Sequence, residues 1–382
     1  MHETNARCEF QVPLFDFRFY DGRMSAVATP LQSLLLDVRG LTVELPTPEG
    51  WVRPVNDVSL QLAPGETLGL VGESGSGKTM LALALMGLLP PGARLRGEAW
   101  LETRRSSAHS VAGSETDGAS HKRVASPSAS NGQRLNLVAL TERKRIAIRG
   151  REIAMIFQEP MTALNPVLRA GAQIEEAVRA HEKALPQSET RRRALEALAR
   201  ASVPEPGLRA RQYPHQLSGG LRQRVMIAMA LACGPRLLIA DEPTTALDVT
   251  VQKQILELLA RLRRELGLAL LFITHDLGVV AQVADRLAVM YAGRIVEEGP
   301  VAEVLRRPRH PYTEGLLRAS PQLRRRKLEP IPGTVPPLGA LPPGCAFEPR
   351  CSYCRAECAA AVPELRAASP EHRARCILIE PR

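Results

Sequence analysis

The sequence predicts an α/β fold in which a parallel sheet is covered by helices on both faces. Three observations carry that reading. Strands that are apolar throughout, such as Arg236-Leu237-Leu238-Ile239-Ala240 and Leu268 to Ile273, alternate with helical runs. One strand-like run, Glu66 to Val71, leads into the glycine-rich loop Gly72 to Thr79 and then into a Leu, Ala and Met helix over Lys78 to Leu89. Polar residues stand at the carboxyl ends of four such strands, where ligands of open α/β sheets sit: the glycine loop, Gln158, Asp241-Glu242 and His275.

Taken in order, residues 1 to 23 differ from the rest. Phe10, Phe15, Phe17, Phe19 and Tyr20 crowd them, and periodic patterning begins only after Met24. Either Met24 is the natural start or the segment is a genuine extension; residues 1–33 are read as an N-terminal extension. Leu34 to Leu45 reads as strand, turn, strand, Pro46 to Gly50 as a turn, and Val55 to Leu62 as a strand with Val58, Leu60 and Leu62 on one face. Pro90-Pro91-Gly92 ends the first helix, and Gly97 to Leu101 resumes as a strand. From Glu102 to about Gln133 the chain becomes Ser, Ala, Gly, His and scattered charge. That is too polar to order itself and reads as a flexible surface insertion (102–133), in which Ser106, Ser107 and Ser126-Pro127 are candidates for modification.

Structure resumes at Leu135 to Leu140, and Ile153 to Phe157 is a buried strand ending at Gln158. Residues 168 to 215 read as helical, broken at Pro186, Pro204, Pro206 and Pro214, and Leu217-Ser218-Gly219-Gly220 opens a helix to about Cys233. The next strand delivers Asp241-Glu242. Val249 to Leu266 is a long helix stopped by Gly267, and the strand after it delivers Thr274-His275-Asp276. Arg286 to Gly299 reads as a hairpin, followed by short helices at about Val301 to Arg307 and Thr313 to Ser320.

Composition narrows the function. The longest apolar run, Leu81 to Leu89, is far short of the ~20 residues of a membrane span, and no basic segment followed by an apolar one opens the chain, so no signal peptide is expected. The formal charge is +10, most of it from Arg. Clusters such as Arg191-Arg192-Arg193 lack interleaved aromatics for base stacking, so solvated helix faces are expected and nucleic acid is not.

The loop Gly72-Glu73-Ser74-Gly75-Ser76-Gly77-Lys78-Thr79 fits the phosphate-binding pattern G-x-x-x-x-G-K-[ST]. Its glycines let successive N–H groups turn towards phosphate oxygens, and the following helix adds the positive end of its dipole. Lys78 is expected to reach the β- and γ-phosphates and Thr79 to ligate Mg²⁺.

Further motifs follow at ordered separations. Phe157-Gln158-Glu159-Pro160 resembles a glutamine loop, and Leu217-Ser218-Gly219-Gly220-Leu221-Arg222-Gln223-Arg224 a family signature. Leu237 to Pro243 resembles a second nucleotide motif, Ala246-Leu247-Asp248 a D-loop, and Ile273-Thr274-His275-Asp276 a histidine switch. Over residues 34 to 320 the chain thereby resembles the nucleotide-binding subunits of ATP-binding-cassette transporters. The resemblance implies a P-loop NTPase core with an antiparallel β subdomain, a helical subdomain (about 160–233) and a small Cys-rich C-terminal tail. The ATPase domain would span 34–300 and the C-terminal region 301–382. It implies head-to-tail pairing with a second ATPase subunit, the same or related, each site joining the phosphate loop of one to Ser218-Gly219-Gly220 of the other. Asp241 and Gln158 would serve the Mg²⁺ site, Glu242 the attacking water, His275 the γ-phosphate, and Asp248 of the D-loop nucleotide binding. The family usually has an adenine-stacking aromatic upstream of the phosphate loop. Trp51 is the nearest candidate, two residues from the expected position, and packing on the sheet edge is its alternative.

Within the family, Gln158 to Pro166, Arg309-His310-Pro311-Tyr312-Thr313 and Pro330 to Pro337 leading into Gly344-Cys345 resemble the oligopeptide, dipeptide and nickel importers. That branch implies two membrane permease subunits, an extracytoplasmic solute-binding protein, and work at the cytoplasmic face of the membrane. A soluble ATP switch without a permease is the competing class. Cys345, Cys351, Cys358 and Cys376 resemble the branch's C-terminal set, which is associated with a [4Fe–4S] cluster. Four thiolates also suit Zn²⁺, and Cys354 muddies the ligand set. Cys8 and Cys233 carry no such expectation.

Overall fold

The computed structural model describes residues 34–104, 132–159, 163–245, 247–321 and 329–379. The N-terminal extension, the body of the insertion, Pro160 to Thr162 and Ala246 lie outside them. Among the described residues the strands are β1 (Leu36–Thr47), β2 (Gly50–Leu62), β3 (Thr67–Val71), β4 (Arg94–Thr103), β5 (Gln133–Asn136), β6 (Ile153–Ile156), β7 (Leu237–Asp241), β8 (Ala269–Thr274), β9 (Arg286–Tyr291), β10 (Arg294–Pro300), β11 (Arg366–Ser369) and β12 (His372–Ala374).

They form two sheets. An antiparallel sheet has the order β2-β1-β4-β5, and a larger one the order β11-β12-β10-β9-β3-β8-β7-β6. In the larger sheet β6, β7, β8, β3 and β9 run parallel, and β10, β12 and β11 continue it antiparallel. The parallel strands are buried on both faces because their residues alternate between two cores. Ile153, Met155, Leu237, Ile239, Leu271 and Ile273 face the antiparallel sheet and the Lys78–Met86 helix. Ala154, Ile156, Leu238, Ala240, Leu270 and Phe272 face the helices Ala170–His181, Gln187–Arg200, Gly219–Leu231 and Val249–Leu266. Among the described residues no helix is long and apolar enough to cross a membrane.

Several boundaries differ from the expectation. Leu36 to Thr47 is one strand, and the expected turn within it is a bulge, where pairing shifts register between Val38 and Leu41 on one side and Arg39 and Thr42 on the other. The helix after the phosphate loop stops at Met86, three residues early. Gly87 takes a left-handed conformation there, its N–H and that of Leu88 closing back on Ala84 and Leu83. Glu102 and Thr103 stay in β4, pairing with Arg134 and Gln133 across the insertion. Helices at Glu142–Ile148 and Leu277–Val283 carry too little apolar periodicity to have been read.

The C-terminal region is built into the core sheet. Glu297 of β10 is fully buried, and its carboxylate accepts from the backbone N–H groups of Arg309 and His310 and meets His372 Nε2 of β12 at 2.7 Å. His310 is buried beside it, Nδ1 accepting from the Tyr312 N–H, and burial pushes the imidazole down to about 3 from its ordinary 6.5. A proton that the unfolded chain binds near pH 6.5 is therefore refused by the folded one until about pH 3. The stability that neutral His310 contributes is complete above 6.5 and is lost on acidification through that window, at up to about 1.4 kcal/mol per pH unit. Urea midpoints from pH 7 to 4 should fall more steeply in the wild type than in His310→Gln; parallel slopes would refute the assignment.

Candidate active site

The phosphate loop leaves β3 at the carboxyl edge of the parallel sheet and ends in the Lys78–Met86 helix, with Gly77 at its N-cap. Lys78 is nearly buried. Its ammonium donates to the carbonyls of Gly72 (2.8 Å) and Glu73 (2.9 Å) and to Ser76 Oγ (3.2 Å). Burial pulls its pKa down, against the charges of Glu242, Asp241 and Glu73.

β7 delivers Asp241 and Glu242 beside the loop because its own apolar run ends there. Asp241 is 1% exposed, and its Oδ1 has no hydrogen-bond partner. Burial pushes its carboxyl up, the Glu242 charge adds to that push, and the Thr79 hydroxyl and Lys78 oppose it. An orphaned buried carboxylate oxygen beside a Thr hydroxyl fits a divalent cation carried by a nucleotide.

Glu242 gathers the remaining strand-end residues. Its Oε2 receives the Thr245 hydroxyl at 2.9 Å and Gln158 Nε2 at 3.3 Å, and His275 Nδ1 lies 3.3 Å away. Gln158 comes from the end of β6 and His275 from the end of β8, so three strands converge on one carboxylate. Glu242 itself has a φ of +45°, a left-handed conformation rare for a non-glycine residue. Thr245 belongs to none of the motifs in the sequence; its place three residues after Glu242, in a turn closed by the Thr245 N–H on the Glu242 carbonyl, brings it to the carboxylate.

Other expected residues sit apart. Ser218 caps the Gly219–Leu231 helix, Oγ accepting from the Leu221 N–H, and both Ser218 and Gly219 are exposed. The side chains nearest Gly219 and Gly220 are Leu247 and Val251. Asp248 likewise caps its own helix, Oδ1 accepting from the Val251 N–H at 2.9 Å. Trp51 lies on β2 opposite Pro46, 45% exposed, with the Arg94 guanidinium 3.8 Å over its ring.

The cysteine set does not fit a metal as it stands. Among the described residues no three His, Cys, Asp or Glu side chains are arranged to hold an ion. The thiols lie in one neighbourhood, with the Cys345 N–H on the Cys358 carbonyl at 2.7 Å, yet burial pushes Cys345 and Cys351 up and Cys376 to about 11. Cys354 is exposed and donates to Glu348, Cys233 donates to the Ala177 carbonyl, and Cys8 lies outside the described residues.

A phosphate loop, an orphaned acid and a glutamate held among Gln, Thr and His, all at one sheet edge, form the site of a nucleoside triphosphatase. The comparisons with known proteins narrow the class. Residues 55–245 match the ABC transporter family, and residues 296–358 match the oligopeptide/dipeptide transporter C-terminal region. A Brucella ovis protein named as a peptide import ATP-binding protein is 49% identical over 355 residues, 90% of this chain and 96% of that protein. A Brucella abortus protein of the same description is 47% identical over 326 residues, 85% and 89% of the two chains. The dimeric ATP-binding cassette MJ0796, in a post-hydrolysis state bound to ADP and Pi, superposes with a TM-score of 0.56 at 27% identity, over 70% of this chain and 98% of that one. The chain belongs to the ABC transporter family. It is an ATP-hydrolysing subunit of that family and carries the oligopeptide/dipeptide type of C-terminal region.

Proposed function

We propose that the chain energises import of peptides, or of a related solute such as nickel, by hydrolysing ATP at the cytoplasmic face of a membrane. The match of residues 296–358 to the oligopeptide/dipeptide C-terminal region carries the solute class. In this reading the chain pairs head to tail with a second ATPase subunit and docks on two permease subunits, which take solute from an extracytoplasmic binding protein. Nucleic acid has no part in it.

The residues take these roles. Backbone N–H groups of the loop Gly72 to Gly77, with Lys78, hold the β- and γ-phosphates, except that of Glu73, which the Tyr312 hydroxyl takes. Thr79, Asp241 and Gln158 hold Mg²⁺, which when bound neutralises charge on the phosphate oxygens. Glu242 orients and polarises the attacking water, and His275 contacts the γ-phosphate. The exposed Ser218 and Gly219, with half-buried Gly220, serve the partner's nucleotide, and Asp248 contributes to nucleotide binding. Trp51 stacks on adenine once Arg94 yields the ring face; unchanged ATP affinity in Trp51→Ala would remove it from the site.

The [4Fe–4S] expectation at Cys345, Cys351, Cys358 and Cys376 rests on their spacing in the sequence alone, and no step of hydrolysis runs through them. Iron and acid-labile sulfide, assayed on anaerobically purified protein, test it, and stoichiometric Zn²⁺ without sulfide would defeat it.

The function is tested by pulling down tagged Glu242→Gln protein from solubilised membranes with ATP and reading the partners by mass spectrometry. Two polytopic permeases and a second ATPase are expected. Recovery of soluble partners alone would overturn the importer reading in favour of a soluble ATP switch.

A further inference from the structure

The C-terminal region reaches into the phosphate loop at a single residue. Glu73, the second residue of the loop, is engaged at three groups. Its carbonyl accepts from Lys78 Nζ at 2.9 Å, and its amide N–H donates to the Tyr312 hydroxyl at 2.8 Å. Its carboxylate takes both arms of Arg350, Nη1 to Oε2 at 2.7 Å and Nη2 to Oε1 at 3.0 Å. Two of the three holds thus come from residues more than 200 positions away.

Arg350 is built for this contact. Its side chain is 3% exposed, whereas that of Glu73 is 30% exposed. Its Nε donates to the Pro332 carbonyl at 2.9 Å, and its guanidinium lies against the rings of Tyr291 and Phe347. Those rings and Tyr312 form one aromatic cluster. A fork fixed on its far side offers carboxylate-matching geometry that a Lys would not.

The electrostatics give the contact a purpose. A phosphate loop concentrates N–H donors and one ammonium to receive a polyanion, and a carboxylate inside it has the wrong sign. Left uncompensated, Glu73 would repel the triphosphate across a short, partly desolvated distance.

We propose that Arg350 is a positioning residue of the nucleotide site. From the C-terminal region it cancels the charge of Glu73 and, with Tyr312, fixes the loop residue whose carbonyl holds Lys78. The docked C-terminal region is thereby part of the ATP site. This rests on the nucleotide reading of the loop given above.

Equilibrium binding of MgATP to the full chain tests it, in wild type, Arg350→Gln, Glu73→Gln and the double variant. Arg350→Gln should weaken binding about tenfold, the scale of a charge-assisted contact. Glu73→Gln should weaken it less. The double variant should bind more tightly than Arg350→Gln alone, because the uncompensated carboxylate is gone, and Arg350→Lys should recover part of the loss. A merely structural Arg350 would give no such rescue. Arg373→Gln controls for a loosened C-terminal region, because Arg373 pairs with Glu298 and joins β12 to β10 without touching Glu73; it should bind MgATP as the wild type does. Unchanged affinity in Arg350→Gln, or no recovery in the double variant, would overturn the proposal. Should Arg350→Gln fail to fold, Tyr312→Phe deletes only the hydroxyl on the Glu73 amide, and wild-type affinity there would overturn it equally. A wild-type chain that does not bind MgATP would instead overturn the nucleotide reading itself, and the proposal with it.

Discussion

Glu242→Gln is expected to slow ATP turnover by about 10² to 10⁴-fold, the range for removing a group that handles the proton of the attacking nucleophile. Nucleotide binding should survive. Gln keeps the shape and one oxygen of Glu, so the Thr245 hydroxyl and Gln158 amide retain an acceptor while the charge that polarises water is gone. The neighbours change in opposite directions. Asp241 loses a like charge that pushes its carboxyl up, which favours the ionised form a cation needs, whereas Lys78 loses one of the carboxylates that support its ammonium. Steady-state phosphate release, together with the molecular mass of the ATP-bound protein by light scattering, is the measurement. Near-wild-type turnover would show that Glu242 is held by its neighbours for structure alone. Slow turnover with an ATP-dependent doubling of mass would support the head-to-tail pair.

What the sequence made legible, and what it did not, divides by distance along the chain. Val249 to Leu266 agrees to the residue, because the stopping Gly267 is a local signal, and the structure adds an Asp248 cap at the other end. The four strand-end sites were legible because each follows its own apolar run. That Gln158, Thr245 and His275 meet on one oxygen of Glu242 was not: it depends on sheet order, which places β6, β7 and β8 side by side. In the sequence the C-terminal region reads as a tail around its cysteines. Its larger part in the fold, β12 on β10, His372 on the buried Glu297 and Arg350 on Glu73, rests on contacts across about 75 to 277 residues, which leave no periodic trace. The cysteine spacing was conspicuous, yet the structure uses that turn first to present Arg350, between Cys345 and Cys351.

Gly77→Ala should abolish measurable MgATP binding and cost roughly 2 to 5 kcal/mol of stability, from backbone strain and crowding together. Gly77 has a φ of +102°, which side chains rarely adopt. A Cβ there would fall well inside 3.0 Å of the Pro54 carbonyl oxygen and 2.9 Å from Met290 Cε. Met290 can move its terminal methyl, but Pro54 cannot retreat. The Ser76 carbonyl accepts from the Gly293 N–H at 3.0 Å, and the Gly293 carbonyl accepts from the Asn56 N–H at 2.8 Å. The loop, the β9–β10 turn and β2 are thus hydrogen-bonded in series around the clash. The loop must give way instead, and with it the first helical bond, Leu81 N–H to Gly77 carbonyl, and the position of Lys78. Gly75→Ala separates the two causes. Its φ is +80°, yet nothing lies within 4 Å of its Cβ, so it carries strain without a clash, about 1 to 2 kcal/mol. Urea midpoints and MgATP titrations of the two variants should differ sharply. Equal losses would mean that backbone strain alone sets the loop, and that its lock onto β2 contributes nothing to holding the phosphates.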